Sequence, residues 1–382
     1  MSAQDKKYED FFELLKDALS DENNKVRPVV AAAPIEKKSV DVPFVEHYGS
    51  NTVFYDLFSK LDKSKSLIYS PLSVEEAFIP FHVSDEKAEP LATIYGENAV
   101  ECYNSINKLL ERSAVVKIAN SMWINNSDGF VLLDKFKTDI ATLSTIYCLP
   151  FDDKLQGIID KWIEEKTNSM IKNGPKLPVD SELCAIVVNT IFFRGKWISP
   201  FRSSSVGPFT KFNRDWIMTD MMSERFMGEC GYYEDHLMRA IKLNYHDNFS
   251  MIVILDKSNK LICPTESKLW EIFSEMSYAY TVFATIPKFR VEMEENLTAL
   301  LPEAILGSYN KFGNQPIKIK GVIQKAVIEV NETGTTAAAV TTVCAYACAG
   351  SGNERYFNAN VPFTYYIVHQ PTKKVLFMGS FV

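Results

Sequence analysis

The stretch Glu329-Val-Asn-Glu-Thr-Gly-Thr-Thr-Ala-Ala-Ala-Val340 decides how this chain is read. It begins as a strand, because Val327, Ile328 and Val330 are β-branched and suit a pleated surface. Gly334 follows as a flexible break. From Thr335 to Thr342 the chain uses only Thr, Ala and Val, with no charge and no bulk. A solvent loop ordinarily draws on Gly, Pro, Asn, Asp and Ser. A core strand ordinarily carries larger side chains. Small uncharged residues suit a segment that lies outside the fold yet can slide between existing strands. In a strand the side chains alternate between faces. Thr335, Ala337, Ala339 and Thr341 would share one face, and Thr336, Ala338, Val340 and Thr342 the other. Both sets are small enough to enter a closed sheet. The competing reading is an Ala/Thr-rich edge strand followed by a surface loop.

Composition bounds the rest. The chain has 382 residues, of which 46% are hydrophobic and 12% aromatic, enough for a large core. No Gly/Ser-rich or Pro-rich linker divides it after residue 45, so one large domain is expected despite the length. No repeat of fixed period appears. No apolar run reaches the about 18 residues a spanning helix needs, so no membrane partner is expected. The net charge of −7, without a basic stripe, points away from nucleic acid. The seven cysteines, at 102, 148, 184, 230, 263, 344 and 348, are odd in number and lack zinc-ligand spacing. The expectation is therefore no metal and no cofactor. Cysteines in apolar surroundings, such as Cys184, read as small core residues in a reducing compartment. The start is polar and lacks the apolar centre of a secretory signal. That leaves a cytoplasmic protein, one secreted without a recognisable signal peptide, or a sequence that begins after cleavage.

Nothing in the chain reads as an enzyme. His47, His82, His236, His246 and His369 build no His-Glu-x-x-His helix, and no serine sits in a Gly-x-Ser-x-Gly elbow. Neither a Gly-x-x-x-x-Gly-Lys loop nor a Gly-x-Gly-x-x-Gly fingerprint is present. Glu75-Glu76 and Glu164-Glu165 are adjacent, so on a helix they point about 100° apart. They read as solvated faces rather than catalytic acid pairs.

Along the chain, Tyr8, Phe11, Phe12, Leu15 and Leu19 share one helical face. Residues 21–43 are charged and carry Pro28, Pro34 and Pro43. Residues 1–44 thus read as an N-terminal extension, a short helix plus linker, serving as a docked tether or a partner-binding arm. A helix follows over Val53–Leu61, and then a buried strand over Leu67-Ile-Tyr69. Ser70 caps the next helix and Pro71 opens it. Asn120–Ile124 reads as a strand and Ile158–Ile171 as a periodic helix. Ala185–Phe201 begins as a continuous apolar run, the mark of a strand buried on both faces. Further strands are expected at Met221-Met222, Met238–Tyr245, Ser250–Leu255, Ile286–Arg290 and through the tail from Phe357 to Val382.

In this order these motifs resemble the serpin family over residues 45–382. The Ala185–Phe201 stretch, the Ser70-Pro-Leu-Ser73 element, Val361-Pro-Phe363 and Leu376-Phe-Met-Gly379 carry the likeness. So does a reactive-loop hinge of Glu332, Gly334, Thr335, Thr336, Ala337, Ala338, Ala339 and Val340. The resemblance implies an α+β fold with three β-sheets and about eight to nine helices. It also implies an exposed reactive loop over about 332–356, near the C-terminus. Three departures stand out. His82–Pro90 replaces the expected Gly-rich turn, Gln324 stands where His is frequent, and the chain stops a few residues short.

The function implied is protease inhibition by a suicide substrate, monomeric, with a serine or cysteine protease as partner. The protease forms an acyl intermediate with the loop, and the cut loop inserts into the main sheet before deacylation. Ser70, Ser73, Asn189 and Gln324 would line the place where that sheet opens. The family's usual loop length, counted from Gly334, puts the reactive bond at Cys348-Ala349. Counting back from Phe357 gives Ser351-Gly352. Neither position offers the Lys or Arg that a trypsin-like pocket requires. Small-residue or aromatic-preferring serine proteases, or papain-like cysteine proteases, fit instead. The alternative is a non-inhibitory serpin serving as a storage, carrier or structural protein. Charged or bulky hinge residues would favour it, and they are absent.

Overall fold

The computed structural model describes residues 52–84, 91–95, 98–113, 115–140, 143–167, 169, 171, 173, 174, 176, 177, 184–334 and 353–382. The expectations for residues 1–44, for Thr335 to Val340 and for the reactive bond lie outside them. The described elements begin with α1 (Thr52–Lys60), β1 (Leu67–Tyr69), α2 (Pro71–Ser84), α3 (Leu91–Tyr95) and α4 (Ala99–Ser113). Then come β2 (Val116–Asn125), α5 (Asp134–Asp139), β3 (Thr145–Leu149), α6 (Leu155–Lys166) and β4 (Cys184–Phe193). The chain continues through β5 (Ser203–Thr210), β6 (Trp216–Met227), β7 (Gly231–Glu234), β8 (Met238–Asn244), β9 (Phe249–Asp256) and α7 (Glu266–Glu275). It closes with β10 (Thr281–Pro287), β11 (Phe289–Asn296), a 3-10 turn (Thr298–Leu300), β12 (Ser308–Tyr309), β13 (Ile317–Val330), β14 (Glu354–Asn358), β15 (Phe363–His369) and β16 (Lys374–Phe381).

Three sheets result, in the α+β class that the sequence reading expects. The main sheet runs β11-β13-β4-β2-β3, with β12 pairing β13. A second runs β1-β16-β15-β9-β8-β7, and a third β14-β10-β6-β5. Residues 185–193 of β4 and 321–328 of β13 are buried on both faces because helices cover the main sheet on each side. On one side α6 lays Leu155, Ile158, Ile159, Trp162 and Ile163 against Trp123, Ile186, Val188, Ile323 and Val327. Trp162 meets Trp123 edge-on at 6.3 Å and 88°. On the other side α2 is buried nearly all round, the pattern of a helix through a core rather than over it.

Three local expectations are corrected. The helix read as Ile158–Ile171 ends at Lys166. Thr167 Oγ1 donates to Ile163 O at 2.8 Å and accepts from Ile171 N at 3.1 Å, so its side chain closes the helix. The long central strand ends at Phe193 rather than running on toward Phe201. At Gly195 an added Cβ would stand 2.7 Å from both the Phe193 and Tyr245 rings, so this close turn admits only glycine. Finally, Glu75 and Glu76 are not solvated. Both are buried within α2, and Lys374 Nζ on β16 approaches the Glu75 carboxylate to 3.1 Å. Helix periodicity alone cannot reveal a charge whose partner lies on a distant strand.

Candidate functional site

The site grows from the boundary between β4 and β13, which run parallel. They pair in register from Lys318↔Cys184 to Val327↔Phe192, with one shift at Ile319/Gly321. Asn189 and Gln324 stand opposite each other across that boundary, and Asn120 on β2 stands opposite Asn189. A buried amide must be satisfied, and these satisfy one another. Gln324 Nε2 donates to Asn189 Oδ1 at 2.9 Å. Asn189 Nδ2 donates to Asn120 Oδ1 and, at 2.9 Å, to Ser73 O. Gln324 also clasps the start of α2, accepting from Ser70 N at 2.8 Å and donating to Ser70 O at 2.9 Å. Ser70 Oγ accepts from Ser73 N at 3.2 Å, an N-cap on the third helical amide. The structure thus brings Ser70, Ser73, Asn189 and Gln324 together. Asn120 completes the row and was missed. Its only signal in the sequence is a polar residue inside a buried strand.

Above the clasp, the chain leaving β13 turns sharply. Asn331 N donates to Gly334 O at 2.8 Å, and Gly334 N returns a bond to Asn331 O at 3.2 Å. Asn331 Oδ1 braces the turn by accepting from Thr333 N at 3.0 Å. Gly334 bridges antiparallel to Asn331 on one side and to Lys196, just beyond β4, on the other. The residue that opens the Thr/Ala segment is therefore seated between the two strands, with the chain direction already reversed. Trp197 N donates to Thr333 O at 3.0 Å and Phe201 N to Glu332 O at 2.9 Å. Gly334 has φ +133°, and an added Cβ would lie 2.2 Å from Gly195 O. No other residue fits there.

Two further residues secure this turn and were not singled out in the sequence. Trp197 stacks on Tyr245 at 3.9 Å and donates from Nε1 to Asn331 O at 2.9 Å. Lys288 Nζ lies 3.0 Å from Glu332 Oε1 and 3.7 Å from Asp220. Partial burial pushes the Glu332 carboxyl upward, but hydrogen bonding and the Lys288 charge outweigh it and hold the group below the ordinary range. On the far side of residues 335–352, β14 lies parallel to β10, and the anchor Phe357 is fully buried. Arg355 stacks 4.1 Å over the Tyr280 ring. Cys348, Ala349, Ser351 and Gly352 lie outside the described residues. Among the described residues no group of His, Cys, Asp and Glu is placed to hold a metal.

Comparison with known proteins meets this geometry. The family model described as Serpin (serine protease inhibitor) matches residues 49–382. A probable serine proteinase inhibitor 1 of swinepox virus is 29% identical over 86% of this chain and 99% of its own length. The leukocyte elastase inhibitor of Xenopus laevis is 27% identical over 86% of this chain and 96% of its own. Among solved structures, the thermophilic serpin tengpin in its native state superposes with a TM-score of 0.73 at 22% identity, covering 92% of this chain and 97% of that one. Human thyroxine-binding globulin in complex with thyroxine gives 0.71 at 19% identity, over 86% and 96% of the two chains. These last two likenesses concern the fold, and one belongs to a thyroxine-binding protein. The family match spans the whole described body, from α1 to β16, and by it the chain belongs to the serpin family.

Proposed function

We propose that this chain is a protease inhibitor acting as a suicide substrate, and that the reactive loop, over about residues 332–356, carries the bait. The family to which it belongs consists in general of protease inhibitors rather than catalytic enzymes. The observation that carries the reading is Gly334, bridged between Asn331 and Lys196 at the mouth of the β4–β13 boundary. A strand continuing from it would run antiparallel to both neighbours. Entry would require β4 and β13 to move from about 4.8 Å to about 9.6 Å apart, two strand spacings. The Gln324–Asn189 bond then breaks. The new strand gains a ladder on each side, and the small side chains from Thr335 to Thr342 fit between α2 and α6 without displacing the core.

In this mechanism the protease nucleophile attacks the carbonyl before the reactive bond, Cys348-Ala349 or Ser351-Gly352. It releases the downstream chain as an amine and keeps the upstream chain as an ester or thioester. Ser70, Ser73, Asn189 and Gln324 act as the clasp, and Glu332 with Lys288 holds the hinge. Insertion drags the acylated protease from its cleft before water reaches it. The absence of Lys and Arg from both candidate bonds, together with the elastase named in the Xenopus relative, favours a small-residue or aromatic-preferring serine protease. A papain-like cysteine protease fits the same loop. The test is incubation with a panel of both classes, denaturing electrophoresis, and sequencing of the released C-terminal peptide. An adduct that survives denaturation is expected. Clean cleavage with no adduct across the panel would instead support a storage, carrier or structural role.

A further inference from the structure

The third sheet turns one face outward just after β14 begins. Tyr356 of β14, Phe283 of β10 and Arg225 of β6 stand directly opposite one another across three adjacent strands. The Tyr356 and Phe283 rings stack at 5.0 Å and 10°, and the Arg225 guanidinium lies 5.6 Å over Phe283. Met227 occupies the neighbouring row on the same face. Tyr356 is 63% exposed and Met227 64%, whereas Val282, Ala284, Phe226 and Phe357 on the opposite face are buried. Single exposed apolar residues need no explanation. Here an aromatic stack with its arginine adjoins an exposed methionine on a rigid sheet, and Tyr, Phe, Met and Arg are the side chains enriched where proteins meet.

Chain length bounds the distance from this face to the reactive bond. At about 3.6 Å per residue at most, Ser351-Gly352 lies within about 20 Å of Tyr356 and Cys348-Ala349 within about 30 Å. A catalytic domain of roughly 200 residues has a radius of about 20 Å. The face of β14 is therefore within reach of a body of that size seated on either bond. We infer that Tyr356, Met227, Phe283 and Arg225 form a second contact surface for the target protease, apart from the residues around the reactive bond, which speeds its capture. This rests on the reading of about residues 332–356 as the reactive loop, with the reactive bond at Cys348-Ala349 or Ser351-Gly352. Tyr356 lies downstream of either candidate bond, so it stays with the body while the acylated protease is carried off upstream. The contact therefore acts before cleavage and sets the rate of capture, not the fate of the captured enzyme.

The experiment compares the second-order rate of inhibition, and the inhibitor consumed per protease trapped, for wild type, Tyr356→Ala and Met227→Ala. Val131→Ala is the control. Val131 is 60% exposed beyond the far end of β2, which runs antiparallel to β4 and so away from the loop. Tyr356→Ala should capture about tenfold more slowly and Met227→Ala about threefold, the scale of interface anchors, with unchanged stoichiometry and an unaffected Val131→Ala. Wild-type rates in both variants would overturn the inference. Should the loop be cleaved with no adduct at all, the inhibitory reading falls, and kcat/KM for loop cleavage becomes the readout. There the same decreases support the second contact, and equal values overturn it.

Discussion

Replacing Gln324 by Met keeps the length of the side chain and removes every polar contact it makes. Three bonds go: from Ser70 N at 2.8 Å, to Ser70 O at 2.9 Å and to Asn189 Oδ1 at 2.9 Å. Ser70 O keeps a bond from Val74 N at 3.4 Å, but Ser70 N and Asn189 Oδ1 are left without a partner, and both residues are buried, so these groups cannot turn to water. At about 1 to 1.5 kcal/mol for each of these two groups, the native form should lose about 2 to 3 kcal/mol. With roughly 2 °C per kcal/mol for a body of this size, the thermal midpoint should fall by roughly 5 °C. The loss should be unequal between states. Once a strand separates β4 from β13, the bond between Gln324 and Asn189 is already gone. The loop-cleaved protein should therefore lose less than the intact one, and intact Gln324→Met should convert more readily on warming to a form with its loop inserted. The assay is thermal unfolding of intact and loop-cleaved protein, wild type and variant, at matched heating rates, since large chains often unfold irreversibly. An unchanged intact midpoint, or an equal loss in both forms, would refute the clasp.

The remaining expectations concern the loop and its hinge. Thr335→Arg should convert inhibitor to substrate: an unpaired buried guanidinium costs several kcal/mol, insertion slows, and water deacylates the protease first. Inhibitor consumed per protease trapped should rise severalfold, with loop cleavage as fast as before. Cys348→Arg should recruit trypsin-like proteases that wild type captures poorly, measured as inhibition rates side by side. Glu332→Gln should lower the native midpoint at neutral pH, modestly because the pair with Lys288 is partly solvated. The Glu332 carboxyl is held below its unfolded value of about 4.3. Its contribution is therefore present above that pH and lost as pH falls through the depressed native value. The difference between wild type and Glu332→Gln should accordingly vanish in acid.

Much of the fold was legible because long strands announce themselves. Val187, Val188, Ile191 and Phe193 leave no reading for β4 but a doubly covered strand, and Ser70-Pro71 marks the start of α2 by cap chemistry alone. Ser70, Ser73, Asn189 and Gln324 were legible as a group only through their likeness to a family, since nothing local says that Gln324 faces Asn189. That follows from a parallel register between strands far apart in sequence. For the same reason Asn120, Trp197 and Lys288 escaped notice. Each matters through a partner on another element: Asn189, Asn331 and Glu332 respectively. The buried Glu75 failed in the opposite sense, since its sequence neighbours gave no sign of Lys374. Gly334 was read as a flexible break, whereas its backbone is pinned on both sides, and what glycine supplies there is the space beside Gly195.

The central claim is that the β4–β13 boundary stands closed in the intact protein and takes the segment after Gly334 as a new antiparallel strand once the loop is cut. The measurement is the thermal midpoint of the purified protein before and after a single cleavage within residues 348–352, with both fragments retained. The cleaved protein is expected to melt well above the intact one, because a strand has been added across the boundary. A midpoint that is unchanged or lowered by cleavage would contradict it.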